Sequence, residues 1–204
     1  MSTPRKAELR PRTKPPEERR VELMDAAQRL FLKRGVASTT IEQITSGAQV
    51  AKGTFYLYFS SKEDVLRALH ARFGEEHFLN IKAAVDRIPS GDWQGKLAAW
   101  ASASVDTYLD SVQLHDVLFF GPRPHTREGL VENAVIDHLS GLLQAGAKAK
   151  IWFIPDARST AVFLFSGAHA LIDHAYLKEK RVNRKRLADR LRQLCFHTLG
   201  KPSR

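Results

Sequence analysis

The chain has 204 residues, 43% of them apolar and 26% charged, with a net charge of +10. Ordinary apolar content excludes wholesale disorder, no apolar run reaches the ~20 residues needed to span a bilayer, and one cysteine, Cys195, excludes an internal disulfide framework. The opening MSTPRKAELRPRTKPPEERR lacks the apolar segment of a signal peptide, so a soluble cytoplasmic protein is expected.

The charge is unevenly spread. Residues 1 to 60 carry eleven Lys/Arg against six Asp/Glu, residues 61 to 177 eleven against fourteen, and residues 178 to 204 ten against two. A basic head, a slightly acidic middle and a basic tail fit a DNA-binding end joined to a body with another task. Residues 1 to 16, rich in Pro, Arg and Lys, read as a mobile arm. Solvation is its commoner fate, and Arg10 and Arg12 are the candidates if it lies on DNA.

A first helix is expected from Glu17 to Lys33, after Pro15 and Pro16, with Gly35 as its stop. Leu23, Ala27, Leu30 and Phe31 form its apolar stripe. Thr39 followed by Glu42 reads as a capping box opening a short helix at about Thr40, with Ile41, Ile44 and Ala48 facing inward. Its end is placed near Gly47 to Gln49, because glycine tolerates the left-handed angles of a tight turn. A second short helix, Val50 to Tyr58, follows, and Ser60 with Glu63 reads as a capping box for the next.

Two short helices joined by a few residues make a helix-turn-helix, whose second helix can enter a DNA major groove. On its outer face Lys52 offers charge, Gly53 close backbone approach, and Thr54, Tyr56 and Tyr58 hydroxyls, while Phe55 and Phe59 face inward. Thr39 and Thr40 at the first helix start complete the candidate DNA contacts with Lys62, whose place in a first helical turn opposes the helix dipole unless a phosphate is near.

AKGTFYLYFSSKEDVL, with AAQRLFLKRGVASTTIEQI before it, resembles the signature of TetR-type transcriptional regulators over about residues 17 to 66. One departure is that the family usually has glycine where this chain has Gln49. The resemblance implies a DNA-binding domain followed by a helical ligand-binding and dimerisation domain, whose last two long helices pair with their copies. It also implies the mechanism, a repressor released from a palindromic operator by a small-molecule effector.

Further helices are expected over Ser61 to Ile88, Asp92 to Val112, Thr126 to Ala147, residues 155 to 180 and residues 183 to 199. No stretch alternates with period two for long. The expected fold is therefore all-α, with a three-helix DNA-binding domain at 17 to 62, a helical body at 63 to 200 and a short tail at 201 to 204.

Phe165, Ala168 and Ile172 on one helix, and Leu187, Leu191 and Leu194 on the next, are candidate contacts of a homodimer; the competing reading puts them in the chain's own core. Arg184, Lys185, Arg186, Arg190 and Arg192 read as the solvated side of the last helix. Trp100, Ser104, Tyr108, Phe119, Phe120, His138, Phe163 and His169 are candidates for a pocket between helices, each also a fair core residue.

Catalytic readings are poor. His115–Asp116, Asp137–His138 and Asp173–His174 are adjacent pairs that point to different sides of a helix. His169 and Asp173, four apart, could share a face, but no metal-binding, phosphate-loop or nucleophile-elbow motif is present, and no cofactor or metal is expected. Cys195 reads as a core residue or dimer contact before a redox switch. The alternatives to a ligand-released repressor are a regulator controlled by a protein partner or by no ligand, and a helical enzyme or small-molecule carrier.

Overall fold

The computed structural model describes residues 15–119 and 133–200, and among them the secondary structure is helical. Contacts divide the chain into two compact units, with the boundary after Leu69, seven residues beyond the expected domain border.

The first unit begins with α1 (Pro16–Arg34), which has Glu17 and Glu18 at its positive end and Lys33 and Arg34 at its negative end. Gly35 stops it with φ 79°, a left-handed angle that only glycine adopts freely. Leu23, Met24, Ala26, Ala27 and Phe31 are buried along its inner face. Next come α2 (Ile41–Gly47), α3 (Lys52–Phe55) and the start of α4 (Lys62–Asp86), whose Ile44, Phe55, Val65 and Leu69 complete this core with Phe59.

The capping box of α2 stands one residue later than the sequence predicts. The cap of α2 is Thr40: its hydroxyl accepts from the Gln43 amide at 3.3 Å, and the Gln43 side chain accepts from the Thr40 amide at 3.1 Å. Thr39 is instead buried, its hydroxyl donating to the Gly35 carbonyl at 2.8 Å. At α4 the Asp64 amide donates to the Ser61 hydroxyl at 3.2 Å, and the Asp64 carboxylate accepts from the Ser60 amide at 3.0 Å, so both serines serve this helix start through Asp64.

The turn after α2 also differs. Gly47 is helical and sits against α1, where a Cβ would lie 3.4 Å from the Ala26 side chain. The left-handed residue is Gln49, at φ 56°. The Val50 amide bonds back to the Thr45 carbonyl at 3.0 Å and the Gln49 amide to the Ser46 carbonyl at 3.1 Å, which is the Schellman closure of a helix end.

In the second unit α4 continues with a buried residue at every fourth position, Phe73, His77, Ile81 and Val85. It is followed by α5 (Trp93–Phe119), α6 (Ala134–Lys148), α7 (Ala157–Lys178) and α8 (Arg184–Thr198). α5 runs seven residues past the expected Val112, because Val112, His115 and Leu118 continue its buried stripe. The expected start of α6 at Thr126 falls outside the described residues; within them the helix begins after Asn133, whose side chain accepts from the amides of Val135 and Ile136. α5 packs on α6, α7 and α8, and α7 packs on α6 and α8, around Leu97, Trp100, Tyr108, Ile136, Leu139, Leu143, Ile172 and Leu191.

Two details lock this core. The Trp152 indole donates to the Leu143 carbonyl at 2.8 Å and lies where a Cβ on Gly146 would be, 2.0 Å from the ring. Phe153 and Gly200 exchange two backbone hydrogen bonds, the only β pairing among the described residues. No helix among them is long and apolar enough to cross a membrane.

Candidate nucleic-acid interface and ligand cavity

The predicted reading element is shorter than Val50 to Tyr58. α3 spans Lys52–Phe55, and residues 56 to 58 continue as turns. Its inner face is built as expected: Phe55 and Phe59 are buried with ring centres 5.8 Å apart, and the Arg20 guanidinium covers the Phe59 ring. That anchoring leaves Lys52, Gly53 and Tyr56 exposed, with Thr54 and Tyr58 half-buried beside them. Leu57, which the sequence reading passed over, is 79% exposed on the same stretch.

Gly53 is informative, because a Cβ there would meet nothing within 4 Å and its backbone angles are ordinary. Internal packing therefore gives no reason for a glycine. Lys52 forms an ion pair with Glu42, which holds the Glu42 carboxyl down at about 2 and pushes the lysine up. Lys62 departs from expectation in its partners: its ammonium donates to the Thr39 carbonyl at 2.8 Å and the Ala37 carbonyl at 3.3 Å. Those carbonyls account for a lysine at the head of α4 without a phosphate. Thr40 is exposed at the cap of α2, and Thr39, being buried, presents no side chain to a ligand.

In the second unit, four of the predicted pocket residues meet. Trp100, Ser104, Tyr108 and His169 line one cavity of about 10 Å³, together with His77, Ile81, Val135, Phe165, Ala168 and Ile172. Phe119 is not in the lining, its ring lying 4.7 Å from that of His115. His138 lies apart, against Phe78, and Phe163 is 65% exposed, so neither joins the lining. Phe120 lies outside the described residues.

His77 is the polar lining member the sequence reading missed, while His115 and Asp173, weighed there only as catalytic partners, meet at Tyr108. Tyr108 is their hub: its hydroxyl donates to the Asp173 carboxylate and lies 3.1 Å from His115 Nδ1, and its ring sits 5.3 Å from that of His169. Because the phenol has one proton, His115 Nδ1 is the donor in that pair. Burial together with Asp173 raises the Tyr108 pKa, so the hydroxyl stays protonated. His77 is pushed down to about 4 by burial and by repulsion from His169 and His115, and those two are lowered as well, chiefly by burial. All three imidazoles are neutral near pH 7. The four-residue stripe of α4 was the available signal for His77.

His169 and Asp173 thus flank Tyr108, but no group of three metal-ligating side chains forms among the described residues. Of the predicted dimer contacts, Ala168, Ile172, Leu187 and Leu191 belong to the chain's own core, Phe165 is half-buried, and Leu194 is 48% exposed. Cys195 is buried, and burial pushes its thiol up to about 12, so it is unreactive.

Residues 23–69 match the sequence profile of bacterial regulatory proteins of the tetR family. Over that stretch the chain is of the tetR type. The chain is 40% identical over 61 residues to the HTH-type transcriptional regulator TtgR of Pseudomonas putida, a match covering 30% of this chain and 29% of TtgR. It therefore spans under a third of that relative's length. In fold, the chain is similar to a tetR-family regulatory protein from Rhodococcus RHA1, with TM-score 0.70 and 18% identity over 91% of this chain and 99% of that one. It is likewise similar to SmeT in its complex with triclosan, with TM-score 0.68 and 18% identity over 90% and 92%.

Proposed function

We propose that this protein is a dimeric, sequence-specific transcriptional regulator, a repressor released from its operator by a small molecule. The observation that carries the DNA-binding half is the construction of α3: its inner face is fixed by Phe55 and Phe59, and its outer face carries a glycine that its own packing does not require. A backbone left open beside Lys52, Thr54 and Tyr56 suits close approach of a phosphate or base edge. One such short element reads too few base pairs for specificity, so two copies act on a palindrome. Leu194 and Phe165, on α8 and α7, are the predicted dimer residues that keep accessible surface.

The cavity beneath Tyr108 supports the ligand half. An effector bound there preferentially by the DNA-incompetent dimer would lower operator affinity by its differential affinity for the two states. A relative in fold has been captured with triclosan, which supports a small-molecule site in a body of this architecture.

Selection of genomic fragments on the purified protein, at fixed salt, tests the reading. A palindromic site is expected. Binding that is salt-sensitive but indifferent to sequence would sink it, leaving net charge as the whole explanation.

A further inference from the structure

Two residues of the cavity lining each carry a buried polar atom with no hydrogen-bond partner, Trp100 its indole N–H and His77 its Nδ1. Trp100 is 0% and His77 7% exposed, so bulk water does not serve them. A native interior rarely leaves such groups unpaired, and a pair of them in one cavity points to an occupant. The indole can only donate, whereas a neutral imidazole nitrogen donates or accepts according to its tautomer.

A hydroxyl is the smallest group that accepts from an indole N–H while donating to an imidazole nitrogen. A carboxylate only accepts, and brings a charge that this lining does not offset: it contains no lysine or arginine, and Asp173 stands behind Tyr108. The rest of the wall suits a flat ring. Phe165 and His169 have ring centres 4.3 Å apart, and Tyr108 meets His169 edge-on at 5.3 Å.

We propose that the cavity takes an uncharged phenol, its hydroxyl between the Trp100 N–H and His77 and its ring among Tyr108, Phe165 and His169. This identifies the chemical class of the effector and rests on reading the cavity as the effector site. As built, the cavity holds about one water. The ring therefore enters by displacing a side chain of the lining.

The test is calorimetric titration of the full chain, without DNA, at pH 7.5 with phenol, toluene and benzoate, three probes with the same ring. Phenol should bind roughly ten-fold or more tightly than toluene, with benzoate weakest. Trp100→Phe keeps a ring and removes the N–H, and should bring phenol down to the level of toluene. The proposal is overturned if wild-type protein binds toluene or benzoate as tightly as phenol, if it binds no phenol, or if Trp100→Phe keeps the preference. Operator binding, measured separately, distinguishes the two levels. Phenol that binds as expected but leaves operator affinity unchanged upholds the site and overturns its effector role. A different molecule that releases the operator while phenol fails to bind upholds the regulator and overturns the phenol.

Discussion

The Lys62 ammonium donates to the carbonyl of Thr39, 23 residues earlier in the chain, at 2.8 Å. The bond ties the first turn of α4 to the residue just before the α2 cap, and the same ammonium also reaches the Ala37 carbonyl. Lys62→Met keeps the stem and removes the donor. It should destabilise the protein by about 1–2 kcal/mol, measured by urea denaturation, because a hydrogen bond from a charged donor is lost and partly shielded carbonyls are left to water. An unchanged midpoint would show that the bond contributes nothing and would reopen the phosphate explanation for Lys62.

Gln49 holds a left-handed angle at a position where glycine would not be strained. Gln49→Gly should stabilise the chain by roughly 0.5–1 kcal/mol, the relief of the left-handed penalty less the added freedom of the unfolded chain. Thermal unfolding would register this as a rise in Tm. A fall would mean that the glutamine side chain makes a compensating contact.

Gly53 separates stability from binding. Gly53→Ala should leave the melting temperature the same or slightly higher, because an alanine there meets empty space and favours helix. Operator affinity should drop, roughly ten-fold or more, as the added methyl holds the backbone off the DNA. Fluorescence anisotropy with the selected operator reads the loss; full affinity would show that the α3 backbone does not approach DNA closely.

Glu42 places a negative charge beside Lys52 on the candidate interface. Glu42→Gln should strengthen binding to DNA at low salt and steepen the fall of log K with log salt by about one phosphate contact. A slope equal to wild type would place the Glu42–Lys52 pair away from the phosphates.

The histidines around Tyr108 make stability depend on pH. His77 titrates at about 4 in the folded chain and near 6.5 when unfolded, so below pH 6.5 the unfolded chain takes up the proton first. Stability is therefore lost as pH falls from about 6.5 to 4, by up to about 3 kcal/mol for His77, and the lowered His115 and His169 act in the same direction. Chemical denaturation at pH 7 and pH 5 should show the loss, and His77→Leu should flatten it. Equal stability at the two pH values would mean that the imidazoles keep their protons or reach water.

Helix order, the buried faces of α1 and α3, and the signature around Lys52 to Tyr58 were legible in the sequence, because periodicity and motif are properties of neighbours along the chain. So was the grouping of Trp100, Ser104 and Tyr108, which are four apart on one helix face. The caps show where local reading stops. Thr39–Glu42 and Thr40–Gln43 both fit a capping box, as do Ser60–Glu63 and Ser61–Asp64. The choice at α2 accompanies the burial of Thr39, whose hydroxyl is bonded to Gly35 and whose carbonyl is bonded to Lys62. The cavity likewise needed the tertiary structure: His77 comes from α4, Trp100 from α5 and His169 from α7, and Phe163, two residues before a lining phenylalanine, faces water. Spacing along a chain decides which residues share a face, but only packing between helices decides what that face meets.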